Sequence, residues 1–431
     1  MSEQKEKIFS QYQVFMIAIL SILQFTVILD FMVISPLGVI LMKTLDITAS
    51  KFSVVVSAYA FSAGVSGLLA AGFADKFDRK KLLMFFYLGF ILGTVLCAVA
   101  TDFNFLMIAR IITGLFGGVI GSISLAIITD LFKMEVRGRV MGYTQMAFSA
   151  SQVLGIPIGL ILANNFGWHS CFWMIAGFGA IVGVIMLIYM KPINGHLRLH
   201  PDRNAFHHLK ATISKPRYIL GFLTMSLLAS GGFMLMPFGS AFGTHNIGLT
   251  MEQLPMLYLV TGVFSIMFGP LSGKMSDKIG SYKTFVVGSV LAAIVVVIYT
   301  NLGVTPFSIA SLVSVLLFAG ITARMVSASA LMTAIPAAQD RGAYMSINSA
   351  AMQISGGLAS VIAGGIVTST ATGFIEHYDT LGYVVVGTML AMVVMMFYIN
   401  RMVSTPAAPT AKVPPNATAE VAVAEIAVES V

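Results

Sequence analysis

Runs of about 20 apolar residues, separated by short polar links, follow one another from residue 14 to residue 400. A hydrocarbon core about 30 Å thick takes about 20 such residues per helical crossing. The pattern therefore predicts spans at 14–41, 51–73, 82–100, 103–129, 140–163, 168–190, 218–242, 253–275, 284–300, 305–334, 343–370 and 380–400. This is an all-α, polytopic membrane protein of about 12 transmembrane helices. Pro237, inside "GGFMLMPFGSAF", predicts a kink in the seventh span.

The longest link, 191–217, falls between the sixth and seventh spans and leaves six on each side. The two sides echo one another. Asp75-Lys76 in "ADKFDRKK" and Asp277-Lys278 in "SDKIGSYK" are 202 residues apart, and Arg137-Gly138 and Arg341-Gly342 are 204 apart. Two echoes at nearly one offset predict a duplicated bundle: a cytoplasmic segment 1–13, six-helix bundles at 14–190 and 218–402, and a linker at 191–217. The tail 403–431, rich in Ala, Pro and Val without an aromatic residue, reads as disordered and cytoplasmic.

Composition agrees with the spans, since 57% of the 431 residues are hydrophobic and only 10% charged, against roughly 25% charged in soluble domains. A net charge of +7 raises nucleic acid as a partner, but its placement excludes that reading. With the N-terminus inside, the inner segments hold nearly all the Lys and Arg, and the outer links hold only Lys43 and Lys51. The positive-inside rule then puts both termini in the cytoplasm, in a multi-pass protein of the cell (inner) membrane. The polar start carries both charge signs and no cleavage signal follows, so the first span is expected to be retained. Cys97 and Cys171, both in apolar runs, exclude a disulfide framework and leave at most one buried bridge. His196, His200, His207 and His208 crowd the linker without cysteine or much acid beside them. They read as part of a weakly basic segment at the headgroups, and no metal or cofactor is expected.

Several motifs resemble those of the major facilitator superfamily, most closely its twelve-helix drug:proton antiporters, over all but the tail. The loop "AGFADKFDRKK" supplies Asp75, Lys76, Arg79 and Lys80 of the family's loop after the second span, with Ala71 and Asp78 in place of glycines. The second copy, "GKMSDKIGSYK", keeps Gly273, Asp277 and Gly280 but has Ser281 for the arginine. Arg110 and Gly114 match the fourth-span motif, and "SQVLGIPIG" matches the antiport motif in part, with Ile156 for glycine before Pro157. The resemblance implies transport by alternating access, and a cytoplasmic gate in which Arg79 pairs with an acid at the end of the fourth span, here Asp130. Asp75, Lys76, Lys80 and Asp277 belong to the same gate. The plain alternative is a topology signal and nothing more.

Asp30, in "QFTVILDFMVISPLG", is the one acid well inside a span. An ionised Asp at a helix centre costs about 2.5–3.5 kcal/mol on insertion scales, so such residues face a bundle interior or a wet cavity. Burial favours the neutral carboxyl, and an arginine at similar depth, Arg110, favours the ionised one. The pair can serve as the proton-coupling site, or as a permanent structural tie. Arg324 has no acid in any span to answer it, which suggests a cavity wall or an anionic ligand; the alternative is a side chain that snorkels to the interface. Phe233, Met236 and Phe238 beside Pro237 suit a cavity for varied apolar ligands, or plain lipid contact. Small residues four apart, among them Gly114/Gly118 and Gly155/Gly159 around Pro157, allow close helix packing.

The resemblance implies proton-coupled efflux of small apolar or amphipathic molecules; the lack of a nucleotide-binding loop disfavours ATP-driven transport, and the lack of a nucleophile and base together disfavours an enzyme. Export of a sugar or metabolite is the runner-up; a membrane enzyme or receptor is disfavoured. The expected partners are the lipid bilayer, a small-molecule substrate and protons, with a monomer as the working unit.

Overall fold

The computed structural model describes residues 9–70, 76–195, 210–337, 340–370 and 372–404. Among them twelve helices are long and apolar enough to cross a membrane: α1 (Gln11–Val33), α2 (Ala49–Ala70), α3 (Arg79–Val99), α4 (Phe103–Leu131), α5 (Val140–Phe166), α6 (His169–Tyr189), α7 (Pro216–Asn246), α8 (Gln253–Ile279), α9 (Ser281–Thr300), α10 (Phe307–Thr333), α11 (Ala343–Ile366) and α12 (Tyr378–Val403). They form two six-helix bundles, α1–α6 and α7–α12.

The polar links do local work at the helix ends. Ser10 and Gln13 cap α1 reciprocally, Asp78 accepts from the Lys81 N–H at the start of α3, and Asp102 accepts from Asn104 and Phe105 at the start of α4. Each satisfies backbone donors that the first helical turn leaves without partners.

The chain departs from the even pattern at its prolines and at one outer link. The first run does not reach residue 41 as one helix: α1 stops at Val33, and a separate short helix, Gly38–Thr44, follows Pro36. Proline lacks an N–H and disfavours helical backbone before it. Ser151–Gly155 forms one π-turn just before Pro157, and Met236–Phe238 forms a 3₁₀ turn at Pro237, the expected kink. The eleventh run ends at Ile366 rather than 370, because Thr368–Ser369 and Ile375–Glu376 pair as a two-stranded antiparallel hairpin.

The core sits differently at the two faces. Away from the termini, one continuous apolar cluster runs through both bundles, from Leu29, Val33 and Phe52 to Phe238, Phe242 and Tyr378. On the side of the termini it divides. Met16, Leu20 and Ile127 belong to a cluster of the first bundle, and Phe222, Met392 and Ile399 to one of the second. The far face is also tied by hydrogen bonds between bundles. Ser35 Oγ donates to the Met236 carbonyl, Ser240 Oγ to the Ser35 carbonyl at 2.9 Å, and Ser360 Oγ to the Ser53 carbonyl at 3.2 Å. Toward the termini the bundles leave a cleft of about 230 Å³ between α1, α2, α4 and α11. The molecule is closed at the far face and open on the side of its termini.

Candidate functional site

Asp30 and Arg110 meet inside the first bundle with both side chains fully buried. Arg110 Nη1 donates to Asp30 Oδ2 at 2.8 Å and to the Asp30 carbonyl at 3.3 Å. Thr94 Oγ1 of α3 reaches Asp30 Oδ1 at 3.3 Å. The Tyr59 ring of α2 covers the guanidinium, 4.4 Å from its carbon, a stacking worth up to about 2 kcal/mol when desolvated. Arg110 Nε and Nη2 have no hydrogen-bond partner among the described residues. The carboxylate is thus better satisfied than the cation, which has two nitrogens, with three N–H groups between them, spare.

Close packing places this pair. A Cβ on Gly114 would lie 2.5 Å from the Tyr59 carbonyl, and one on Gly118 2.4 Å from that of Ala63, so α2 and α4 touch backbone to backbone. One on Gly155 would lie 2.5 Å from Leu29, next to Asp30, and one on Gly159 2.8 Å from Cys171 Sγ. Pro157, buried after the π-turn, sits between these two contacts.

From the pair an aromatic chain crosses to the second bundle. Tyr59 lies 5.2 Å from Phe31, Phe31 lies 5.5 Å from Phe233 of α7, and Phe233 packs against Gly356 of α11. Of the proposed cavity residues, Phe233 therefore stands at the junction of the bundles. Met236 takes part through its carbonyl in the far-face closure, and Phe238 is fully buried in the core there. Arg324 is 5% exposed, over the Phe285 ring of α9 at 5.7 Å and 3.5 Å from Met392 Sδ of α12. None of Phe233, Met236, Phe238 and Arg324 lines the cleft, contrary to expectation. Phe238 and Arg324 sit on faces turned into packed neighbours, which residue type alone does not show.

At the side of the termini Arg79 Nε pairs with Asp130 Oδ2 at 3.1 Å, and Lys80 Nζ donates to the Leu187 carbonyl at the end of α6. Both contacts stay within the first bundle. Asp75 lies outside the described residues, as do the four linker histidines; Lys76 and Asp277 are exposed and form no ion pair among the described residues. The second bundle has a tie of another kind. Asp340, 2% exposed, accepts from Lys215 Nζ at 2.5 Å and from Tyr218 Oη at 2.7 Å. The carboxylate holds the Lys215 ammonium above the usual lysine range, chiefly through that hydrogen bond. Sequence reasoning missed this tie, because Asp340 stands in a link where an acid is unremarked. It also missed Tyr59, Thr94 and two glutamines that line the cleft, Gln24 and Gln353, whose one signal is a polar group within an apolar run.

A family model described as Major Facilitator Superfamily matches residues 20–338 and 244–427. "Multidrug resistance protein 2" of Bacillus subtilis (strain 168) is 24% identical over 67% of this chain and 74% of its own length. A "Probable sugar efflux transporter" of Helicobacter acinonychis (strain Sheeba) is 24% identical over 55% of this chain, which spans 59% of that relative. Among solved structures, a bacterial homologue of the human lysosomal transporter Spinster, in an inward-facing and occupied conformation, superposes with a TM-score of 0.72 at 15% identity, covering 93% of this chain and 100% of that one.

Proposed function

Because the chain belongs to the Major Facilitator Superfamily, and is a transporter rather than an enzyme, we propose that it exports small uncharged or amphipathic molecules across the cell membrane in exchange for protons. The observation that carries this reading is the fully buried Asp30–Arg110 pair. A carboxylate at that depth is held by one arginine and one hydroxyl, so a proton arriving on Asp30 removes the attraction and frees Arg110. Alternating access then needs a proton path to Asp30 from each side in turn. The face that carries the termini is assigned to the cytoplasm from the distribution of Lys and Arg, and a monomer is taken as the working unit.

The energy suffices. One proton brings about 2.3 kcal/mol at 100 mV and about 1.4 kcal/mol per pH unit, roughly 3.7 kcal/mol in all, which sustains a gradient of about 500-fold for an uncharged substrate. The test is flux in proteoliposomes with an imposed pH gradient, proton movement being followed by a pH dye in the same vesicles. Substrate movement that ignores the gradient, with no proton signal, overturns the coupling. A sugar or metabolite as cargo is the second reading, favoured by the amide and hydroxyl groups of the cleft.

A further inference from the structure

The cleft between the bundles is polar without being charged. Gln24 of α1, Ser122 of α4, and Ser346, Ser349 and Gln353 at α11 supply its polar wall; the rest of the lining is Gly, Ala, Leu and Met. The side chains of Gln24, Ser346, Ser349 and Gln353 make no hydrogen bond to any described residue, so their donors and acceptors are available to a guest. The Gln24 amide lies beside Gly121 of α4, its Nε2 at 3.6 Å from where a Cβ would stand, an ordinary contact. Asp30, the one acid in the middle of a described span, is spent on Arg110, and Arg324 is enclosed in the second bundle.

We propose that this cleft is a binding site for uncharged molecules bearing hydroxyl or amide groups, held between Gln24 of the first bundle and Gln353 of the second, and that it rejects organic cations. The proposal deepens the export reading and rests on it only for the direction of flux. A cation entering the cleft gives up water and meets no carboxylate among the described residues that line it, a desolvation without repayment. A hydroxyl or amide meets side-chain amides that both donate and accept. Since the two glutamines belong to different bundles, a guest that bonds to both favours the conformation that holds them at this spacing.

The test measures binding and flux separately on the full chain in proteoliposomes at pH 8. The probes are chloramphenicol, an uncharged amide with two hydroxyls; D-xylose, an uncharged polyol; and the tetraphenylphosphonium cation. The wild type is expected to bind at least one uncharged probe, and the cation at least tenfold more weakly. Q24E and Q353E, which put a carboxylate in the cleft, are each expected to gain at least tenfold for the cation, a gain that a misfolded variant cannot show. Q24L and Q353L are expected to weaken the uncharged probe about tenfold, or about 1.4 kcal/mol. The assignment is overturned if the wild type binds the cation as tightly as the uncharged probes, if it binds neither of these, or if neither Glu variant gains the cation. The expected binding pattern without flux driven by a pH gradient keeps the site and removes proton-coupled export. Driven flux that prefers the cation does the reverse.

Discussion

Asp30→Asn is the single change with the most to say, because it removes a titrating group and unbalances an ion pair at once. Arg110 already has two nitrogens without partners in a fully buried setting. Losing its counter-charge leaves a buried cation whose remaining compensation is the Tyr59 ring and the Asp30 carbonyl. Breaking a buried pair from one side costs about 3–5 kcal/mol. Asp30→Asn is therefore expected to lower thermal stability in detergent and to abolish flux driven by a pH gradient, while exchange of substrate down its own gradient persists. Pairing it with Arg110→Gln is expected to restore much of the stability without restoring coupling. If the single variant still accumulates substrate against its gradient and moves protons with it, Asp30 is not the coupling site, and the pair is a structural tie. The residues of this site differ in how legible they were. Asp30 and Arg110 stand out in the sequence because charge is rare in apolar runs. Gln24, Tyr59 and Thr94 do not, because an uncharged polar group within a span costs little and is common. Arg324 was conspicuous, yet its destination against Phe285 and Met392 depends on which way its helix face turns.

The helices themselves were readable because the bilayer leaves few choices: every crossing needs about 20 apolar residues with all backbone groups paired internally. What escaped was local. Pro36 ends α1 early, and the hairpin after α11 is held by the Asn246 side chain, which donates to the Ile375 carbonyl at 2.8 Å and accepts from its N–H at 2.9 Å. Such a contact, 129 residues away in sequence, has no signature in a hydropathy pattern. The tie at the start of α7 makes the same point and carries a test. Asp340 joins Lys215 and Tyr218, just before and within α7, to the turn between α10 and α11. The Lys215 ammonium is held above its usual range, so the contribution of the tie is fully present below the ordinary lysine value and is lost only as pH rises through the raised one. Changes of flux between pH 5 and 8 therefore should not come from the titration of Lys215. Asp340→Asn is expected to cost about 1–3 kcal/mol, since a buried acceptor of charged and phenolic donors is weakened. The check is hydrogen exchange, with faster exchange at the start of α7 than in the wild type and an unchanged pH profile of flux from 5 to 8. A shifted profile would mean that the tie belongs to the proton path.

At the scale of the whole molecule, the far face is closed by contacts that leave no room for added atoms. A Cβ on Gly364 of α11 would lie 2.9 Å from the Ser53 Cβ and 3.3 Å from the Ser50 Cα of α2. Neither neighbour is the loose end of a flexible side chain, so Gly364→Val can be accommodated only if the bundles part there. Overpacking costs about 1–3 kcal/mol, and that cost falls on the closed far face alone, because the contact does not exist once the bundles separate. A transporter that cycles between two states of similar free energy responds steeply, as about 1.4 kcal/mol is a factor of ten in their ratio. Gly364→Val is expected to move most molecules to the conformation open at the far face. Spin labels at Lys43 and Asn301, exposed positions of the first and second bundles on that face, would report the change as a longer distance distribution. Driven flux is expected to fall, because a state that no longer presents the cleft toward the termini cannot load from that side. Gly364→Ala adds less bulk and is expected to fall between wild type and valine in both readouts. An unchanged distance distribution together with undiminished flux in Gly364→Val would show that the Gly364–Ser53 contact survives the whole cycle and closes no gate.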